Sequence, residues 1–114
     1  MQLSRIPLVS IGRDHCLKIW HMNERKLELS KQFPDEPLCV AMHPSGFQLL
    51  VGFLDRVVLF SILLNELEVT REFNVRNATI VKFSSGGQYF AVYAGATLYI
   101  FQSISGRVIS TIRF

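Results

Sequence analysis

Charged residues are scarce in this sequence. Asp, Glu, Lys and Arg make up 18% of its 114 residues, whereas apolar residues make up 49%. A chain with this much apolar surface to bury is not expected to be disordered. The net charge of +3 at pH 7 is spread along the whole chain, without a run of five basic residues. Because proteins that bind nucleic acids usually concentrate positive charge on one face, no nucleic-acid partner is predicted.

Cysteine is also scarce, and no leader sequence is recognisable. Cys16 and Cys39 are the only two cysteines, which is too few for a disulfide framework. The apolar stretch near the N-terminus is too short and too quickly broken for a signal peptide. Both features indicate an intracellular, reducing compartment.

Residues 47–64 are the one stretch long enough to suggest a membrane helix, which needs about 18 apolar residues. However, Asp55 and Arg56 lie at its centre, where each would cost about 2.5 to 3.5 kcal/mol. Gly52 and the adjacent Val57 and Val58 favour two strands around a turn. The sequence therefore predicts a hairpin and no membrane partner.

An internal repeat of 40 to 41 residues is the strongest pattern. Residues 27–33 align with residues 67–73 at a shift of 40, with three identical and three similar positions. Trp20, Phe60 and Phe101 recur at spacings of 40 and 41, each after an aliphatic residue. A period of this length with strand-like content is typical of a four-stranded propeller blade. We expect these three aromatic residues to be buried at equivalent blade positions.

Within each repeat, short apolar runs alternate with turn signals such as Ser84-Ser85-Gly86-Gly87. No window has helical spacing, so strands are favoured. The predicted strands are 8–11, 16–22, 27–33, 38–42, 48–53, 57–62, 67–73, 79–83, 89–93, 97–102 and 107–114.

This strand map predicts an all-β partial propeller with about two and three-quarter four-stranded blades. The predicted units are a blade fragment at 1–33 and blades at 34–73 and 74–114. The first unit lacks an innermost strand, and Phe114 occupies the position that leads into another blade in both earlier repeats. We expect the remaining blades of a larger propeller to be its nearest partners, and the isolated chain not to fold stably as a monomer.

Several segments resemble WD repeats. Lys18-Ile19-Trp20-His21 resembles the family's strand ending, with His21 where Asp is usual. Residues 83–91 and 41–46 resemble the family's hairpin. Asp14 and Asp55 stand where the family has a structural Asp, but Gly95 stands there in the last unit, and no Gly-His pair opens any unit. The chain is identified as a member of the WD-repeat β-propeller family with degenerate repeats.

Residues 33–53 and 71–76 are similar to axonemal WD-repeat proteins, and the likeness extends over about residues 33–101. The resemblance implies a non-enzymatic scaffold or adaptor of the axoneme of cilia and flagella. It also implies a role in placing inner dynein arms on doublet microtubules. Implied partners are axonemal components, inner dynein arm subunits and tubulin. The alternative is a propeller segment of another intracellular trafficking or cytoskeletal scaffold.

No catalytic, metal or cofactor site is predicted. The two cysteines and His15, His21 and His43 lack ligand spacing such as CxxC or HxxH. Neighbouring strand residues point to opposite faces, so His15 cannot serve Cys16 as a base. Gly86-Gly87 lacks the lysine and the helix of a phosphate loop.

Binding is expected on the turns, which cluster on the two rims of a propeller. The rim predicted to bind protein carries Arg13, Asp14, His15, Asp35, Glu36, Asp55, Arg56, Arg76 and Asn77. The opposite rim carries Asn23, Glu24, Arg25, Lys26, His43, Ser45, Asn65 and Glu66. Both rims mix charge signs, which suits a protein partner better than a polyanion.

Overall fold

The computed structural model describes residues 7–21, 26–64 and 66–114, and all of their regular structure is β-strand. The strands are β1 (Pro7–Ile11), β2 (Cys16–His21), β3 (Lys26–Gln32), β4 (Cys39–Met42), β5 (Gln48–Gly52), β6 (Val57–Ile62), β7 (Leu67–Phe73), β8 (Ala78–Phe83), β9 (Tyr89–Ala94), β10 (Thr97–Gln102) and β11 (Val108–Arg113). Their ends lie within one residue of the predicted bounds. The predicted strands are therefore confirmed, except at Met22, which lies outside the described residues.

The strands form three antiparallel sheets in which chain neighbours pair. The first sheet has the order β1-β2-β3, the middle sheet β4-β5-β6-β7, and the last sheet β8-β9-β10-β11. Such up-and-down sheets, packed face to face, form the blades of a propeller. The fold is the predicted all-β partial propeller.

Residues 47–64 form the β5–β6 hairpin. Gly52 pairs with Val57, and the amide of Phe53 donates a hydrogen bond of 2.7 Å to the carbonyl of Arg56. Only Leu54 and Asp55 remain at the tip, so the predicted turn is confirmed. Within the three described ranges, no helix is long and apolar enough to cross a membrane.

Two apolar layers hold the sheets together, and the middle sheet contributes to both. Along β6, Val58 and Phe60 pack with residues of the first sheet, whereas Val57 and Leu59 pack with residues of the last sheet. Successive side chains of a strand point to opposite faces, so a strand between two sheets must be apolar throughout. This arrangement explains the continuous apolar run that resembled a membrane helix.

A phenylalanine that follows or ends the last strand of one sheet packs on the next sheet, and this joint occurs twice. The ring centroid of Phe33 lies 5.2 Å from that of Phe53 and 5.5 Å from that of Phe60. Phe73 repeats the contact, 5.2 Å from Phe90 and 4.9 Å from Phe101. The 40-residue period therefore corresponds to a repeated contact between sheets.

The predicted burial of the three repeat aromatics is correct for two of them. Phe60 and Phe101 are 5% and 4% exposed, because each faces the preceding sheet. Trp20 is only half-buried, and for this residue the prediction is wrong. The face that carries Trp20 has no described sheet packed on it. For the same reason Phe114, which follows Phe73 in the repeat, is 77% exposed.

Candidate functional site

The β5–β6 turn and the β7–β8 connection meet at the same end of the middle sheet, where strand β5 ends and strand β6 begins. The amide of Asn77, in the β7–β8 connection, donates a hydrogen bond of 2.9 Å to the carbonyl of Leu54. Asn77 adopts a φ of 58°, a conformation that Asn tolerates better than most residues. The tip of the β5–β6 hairpin is thus attached to the neighbouring connection.

Arg56 joins this hairpin to two further segments. Its Nη1 lies 2.8 Å from Asp55 Oδ1 and 3.4 Å from Asp35 Oδ2, and its Nε lies 3.2 Å from Glu72 Oε1. We call these four residues the Arg56 cluster. The guanidinium carbon also lies 4.8 Å from the centroid of the Phe53 ring. Exposed ion pairs each contribute under about 1 kcal/mol, so the cluster mainly fixes the position of its members.

The pKa of the Arg56 guanidinium is raised. Partial burial acts in the opposite direction, but the hydrogen bonds and negative charges of Asp55 and Asp35 outweigh it. Arg56 therefore stays charged and remains the single cation among three carboxylates in the cluster.

A cleft of 390 Å³ lies beside the Arg56 cluster. Its lining residues are Asp35, Glu36, Leu38, Leu54 and Asp55. Leu54 is 65% exposed and Leu38 is 40% exposed, so aliphatic surface faces solvent between the carboxylates. We call this the Leu38–Leu54 cleft.

The walls of this cleft are held by the backbone. Pro34 and Pro37 flank Asp35 and Glu36, and proline fixes its own φ near −65°. Pro37 is buried, and the amide of Leu38 donates a hydrogen bond of 2.7 Å to the carbonyl of Gly52. The cleft is therefore formed before any partner arrives.

The other predicted rim residues lie apart from the cluster. Arg13, Asp14 and His15 form the β1–β2 turn, in which Asp14 Oδ1 accepts a hydrogen bond of 3.2 Å from the amide of Cys16. The carbonyl of His15 accepts one of 2.9 Å from the amide of Phe33. Arg76 is exposed beside Asn77. The structure thus brings together Asp35, Asp55 and Arg56, places Glu36 beside them and attaches Asn77 through its backbone.

Three residues of this site were not among the predicted ones: Glu72, Leu38 and Leu54. Glu72 lies within strand β7, and the sequence pattern predicts only a strand there. The register could have indicated it, because Val58 pairs with Glu72 and Arg56 ends the hairpin just before β6. The two leucines carried no signal, since an isolated exposed leucine is common on protein surfaces.

On the opposite rim, His43 connects two sheets. Its Nδ1 accepts a hydrogen bond of 3.0 Å from the amide of Ser45, so its Nε2 carries the hydrogen donated to the carbonyl of Gly87 at 3.1 Å. The ring also packs edge-on against Phe83, with centroids 4.9 Å apart. Asn23, Glu24, Arg25 and Asn65 lie outside the described residues, as does the side chain of Lys26. Glu66 is exposed.

The thiol of Cys39 belongs to the contact between the middle and last sheets. Its Sγ donates a hydrogen bond of 3.4 Å to the carbonyl of Ala78. Burial raises the pKa of this thiol, and a hydrogen bond with the backbone of Gly52 offsets part of that rise. Among residues 7–21, 26–64 and 66–114, no group of three or more His, Cys, Asp or Glu could hold a metal ion.

The chain is similar to proteins named for cilia and flagella. It is 36% identical over 101 residues to cilia- and flagella-associated protein 57 A of Tetrahymena thermophila, covering 89% of this chain and 8% of that protein. It is 34% identical over 102 residues to cilia- and flagella-associated protein 57 of Mus musculus, with the same coverage. Cilia- and flagella-associated protein 57 C of T. thermophila is 32% identical over 95 residues, covering 76% of this chain and 7% of that protein.

A solved structure described as Kuenenia stuttgartiensis hydrazine synthase has a similar fold. The TM-score is 0.73 at 17% identity, covering 88% of this chain and 30% of that one. This likeness concerns the fold alone. No protein-family model matches the chain. By sequence, the chain is a homologue of cilia- and flagella-associated protein 57 that spans about 8% of the length of those relatives.

Proposed function

We propose that this chain is part of a non-enzymatic, protein-binding scaffold or adaptor of the ciliary axoneme that helps to anchor or regulate inner dynein arms on doublet microtubules. The observation that carries the proposal is the 34–36% identity to ciliary proteins over 89% of the chain. The scaffold role is inferred from the rims, where binding surface lies on turns attached to a packed β-framework.

The described geometry favours binding over catalysis. Asp14 and Cys16 are joined by a turn hydrogen bond, and His43 uses both ring nitrogens to hold its own turn and the neighbouring sheet. A catalytic thiol needs a lowered pKa, whereas the pKa of Cys39 is raised. The polar groups of the Arg56 cluster face solvent on a surface that a protein partner could cover.

The first test locates the full protein in ciliated cells. We expect a fluorescently tagged protein to enter the cilium and to stay with the axoneme after detergent removes the membrane. Signal confined to the cell body would contradict the ciliary proposal and would favour the alternative, another trafficking or cytoskeletal scaffold. Signal released by detergent would contradict the axonemal part of the proposal.

The second test concerns the inner dynein arms. Cells that lack the protein should assemble cilia with reduced inner-arm density in averaged electron tomograms, and the tagged protein should restore it. Outer-arm density serves as the internal control. If the tagged protein localises to the axoneme of rescued cells but the cells that lack the protein have unchanged inner arms, the proposed dynein role is refuted. The ciliary location would remain intact.

A further inference from the structure

We propose that the Leu38–Leu54 cleft binds an extended partner segment that carries basic side chains next to an aliphatic one. The inference rests on the proposed scaffold function and specifies the chemistry of the partner. It concerns five lining residues, of which two are exposed leucines and three are acidic. An aliphatic side chain would fill the space between the leucines, and flanking cations would meet the carboxylates.

Charge determines which segment fits. Asp35, Glu36 and Asp55 line the cleft, and Glu72 lies behind them on Arg56. Arg56 is the single cation of its cluster and is shared among three carboxylates. Lys31 lines the next gap, on the Phe53 side of Arg56, and is not part of the cleft lining. The cleft is therefore negative, although the whole chain has a net charge of +3, and it should attract a basic segment and repel an acidic one.

The shape of the cleft is fixed in advance, which lowers the entropy cost of binding. One wall is the hairpin tip, held by the hydrogen bond from Asn77 to Leu54 and by Arg56. The other wall is the segment between Pro34 and Pro37, which ends at the hydrogen bond from Leu38 to Gly52. Exposed leucines on such firmly held segments offer apolar surface that a partner can cover without reordering the turn.

The position in the fold also matters. The cleft belongs to the middle sheet, and both faces of that sheet are already covered by the first and last sheets. By contrast, Phe114 and Trp20 lie on faces without a described neighbour. The exposure of Leu54 is therefore a property of the rim and is not produced by an uncovered sheet face.

The test measures peptide binding by fluorescence anisotropy on the complete protein. The probe is a short synthetic peptide that alternates lysine and leucine, and a glutamate–leucine peptide and a lysine–serine peptide serve as controls. We expect the lysine–leucine peptide to bind most tightly. Its affinity should fall as ionic strength rises from about 0.05 M to about 0.5 M, because salt screens exposed charges.

Two variants and their matched controls locate the binding. Glu36→Lys should weaken the lysine–leucine peptide about tenfold by reversing one charge at the cleft. Leu54→Ser should weaken it about fivefold by removing apolar contact. Glu66→Lys and Leu64→Ser make the same changes at exposed positions of the opposite rim and should leave binding unchanged. All four sites are exposed, so each variant should keep the parent unfolding midpoint.

Several outcomes would overturn the inference: no binding of the lysine–leucine peptide, equal binding of the acidic peptide, or equal effects of the cleft and control variants. A sedimentation shift abolished by Leu54→Ser would mean that a second copy of the chain covers the cleft, which also overturns it. The proposed function fails separately. A protein absent from cilia that still binds the peptide through the cleft would refute the ciliary role and leave the cleft chemistry standing.

Discussion

Replacing Phe73 with alanine should destabilise the protein by about 3 to 5 kcal/mol, the usual cost of truncating a buried phenylalanine. Phe73 is 6% exposed, and its ring packs on Phe90 and Phe101 at centroid distances of 5.2 and 4.9 Å. The loss includes the transfer free energy of the removed ring atoms and the cost of a cavity between the middle and last sheets. The aromatic pairs contribute separately, at about 0.5 to 1.5 kcal/mol each beyond the burial of their surface.

Phe47 provides a matched control, because it is the same residue type, is 71% exposed and lies in the β4–β5 turn, away from the faces on which sheets pack. Phe47→Ala should cost less than about 1 kcal/mol. The free energies of unfolding would be measured by urea denaturation followed by circular dichroism. A double-mutant cycle between Phe73 and Phe101 should give a coupling of about 0.5 to 1.5 kcal/mol. Equal losses at Phe73 and Phe47, or a loss below about 1 kcal/mol at Phe73, would refute the assignment of the joint.

Three further predictions use the same unfolding assay. Gly46→Ala should cost about 1 to 2 kcal/mol, because φ is +80° and a side chain is strained in this left-handed conformation. The space around Gly46 is empty, so no steric clash adds to this strain. Gly87→Ala, at a φ of +75°, should cost at least about 1 kcal/mol more, because its new Cβ would displace His43; equal costs would contradict this close approach. Because the folded-state pKa of Cys39 is raised above 9.0, the unfolded thiol ionises first, and stability should fall as pH rises from about 8 to about 10. Cys39→Ala should remove this component, and an unchanged pH slope in that variant would exclude it. Arg56→Ala should cost about 1 kcal/mol by leaving three carboxylates together, less so in high salt, whereas Arg76→Ala on the neighbouring connection should cost under about 0.5 kcal/mol. Equal costs at Arg56 and Arg76 would show that the cluster contributes nothing.

The strands could be predicted from the sequence because two kinds of local information agreed. The 40-residue repeat aligned the apolar runs, and turn residues such as Ser45-Gly46 and Gly86-Gly87 marked their ends. Strand ends depend on nearby residues, and similar turn residues occur at the same place in successive repeats. The strand ends assigned in one repeat are therefore supported by those in the next. The same reasoning placed Asp55 and Arg56 in a turn, although they interrupt a long apolar stretch.

Contacts between sheets could not be predicted in the same way. The link from His43 to Gly87 spans 44 residues, and the hydrogen bond from Cys39 to Ala78 spans 39 residues. Neither distance follows from periodicity, which gives the position of a residue within a strand but not the rotation of one sheet on another. The burial of Trp20 also could not be predicted from periodicity. Its place in the repeat was predicted, but its burial depends on which sheets are neighbours.

The repeated phenylalanine joint has a consequence for how such chains can change in evolution. Phe33 and Phe73 occupy the same place in successive units, each against the next sheet. A deletion of residues 34–73 would bring Phe33 against Phe90 and Phe101, the rings that Phe73 contacts now. Duplication or loss of a whole unit therefore preserves each joint, whereas a break inside a unit separates a phenylalanine from its partner. Recombination that follows the 40-residue period can lengthen or shorten the chain without requiring a newly selected interface.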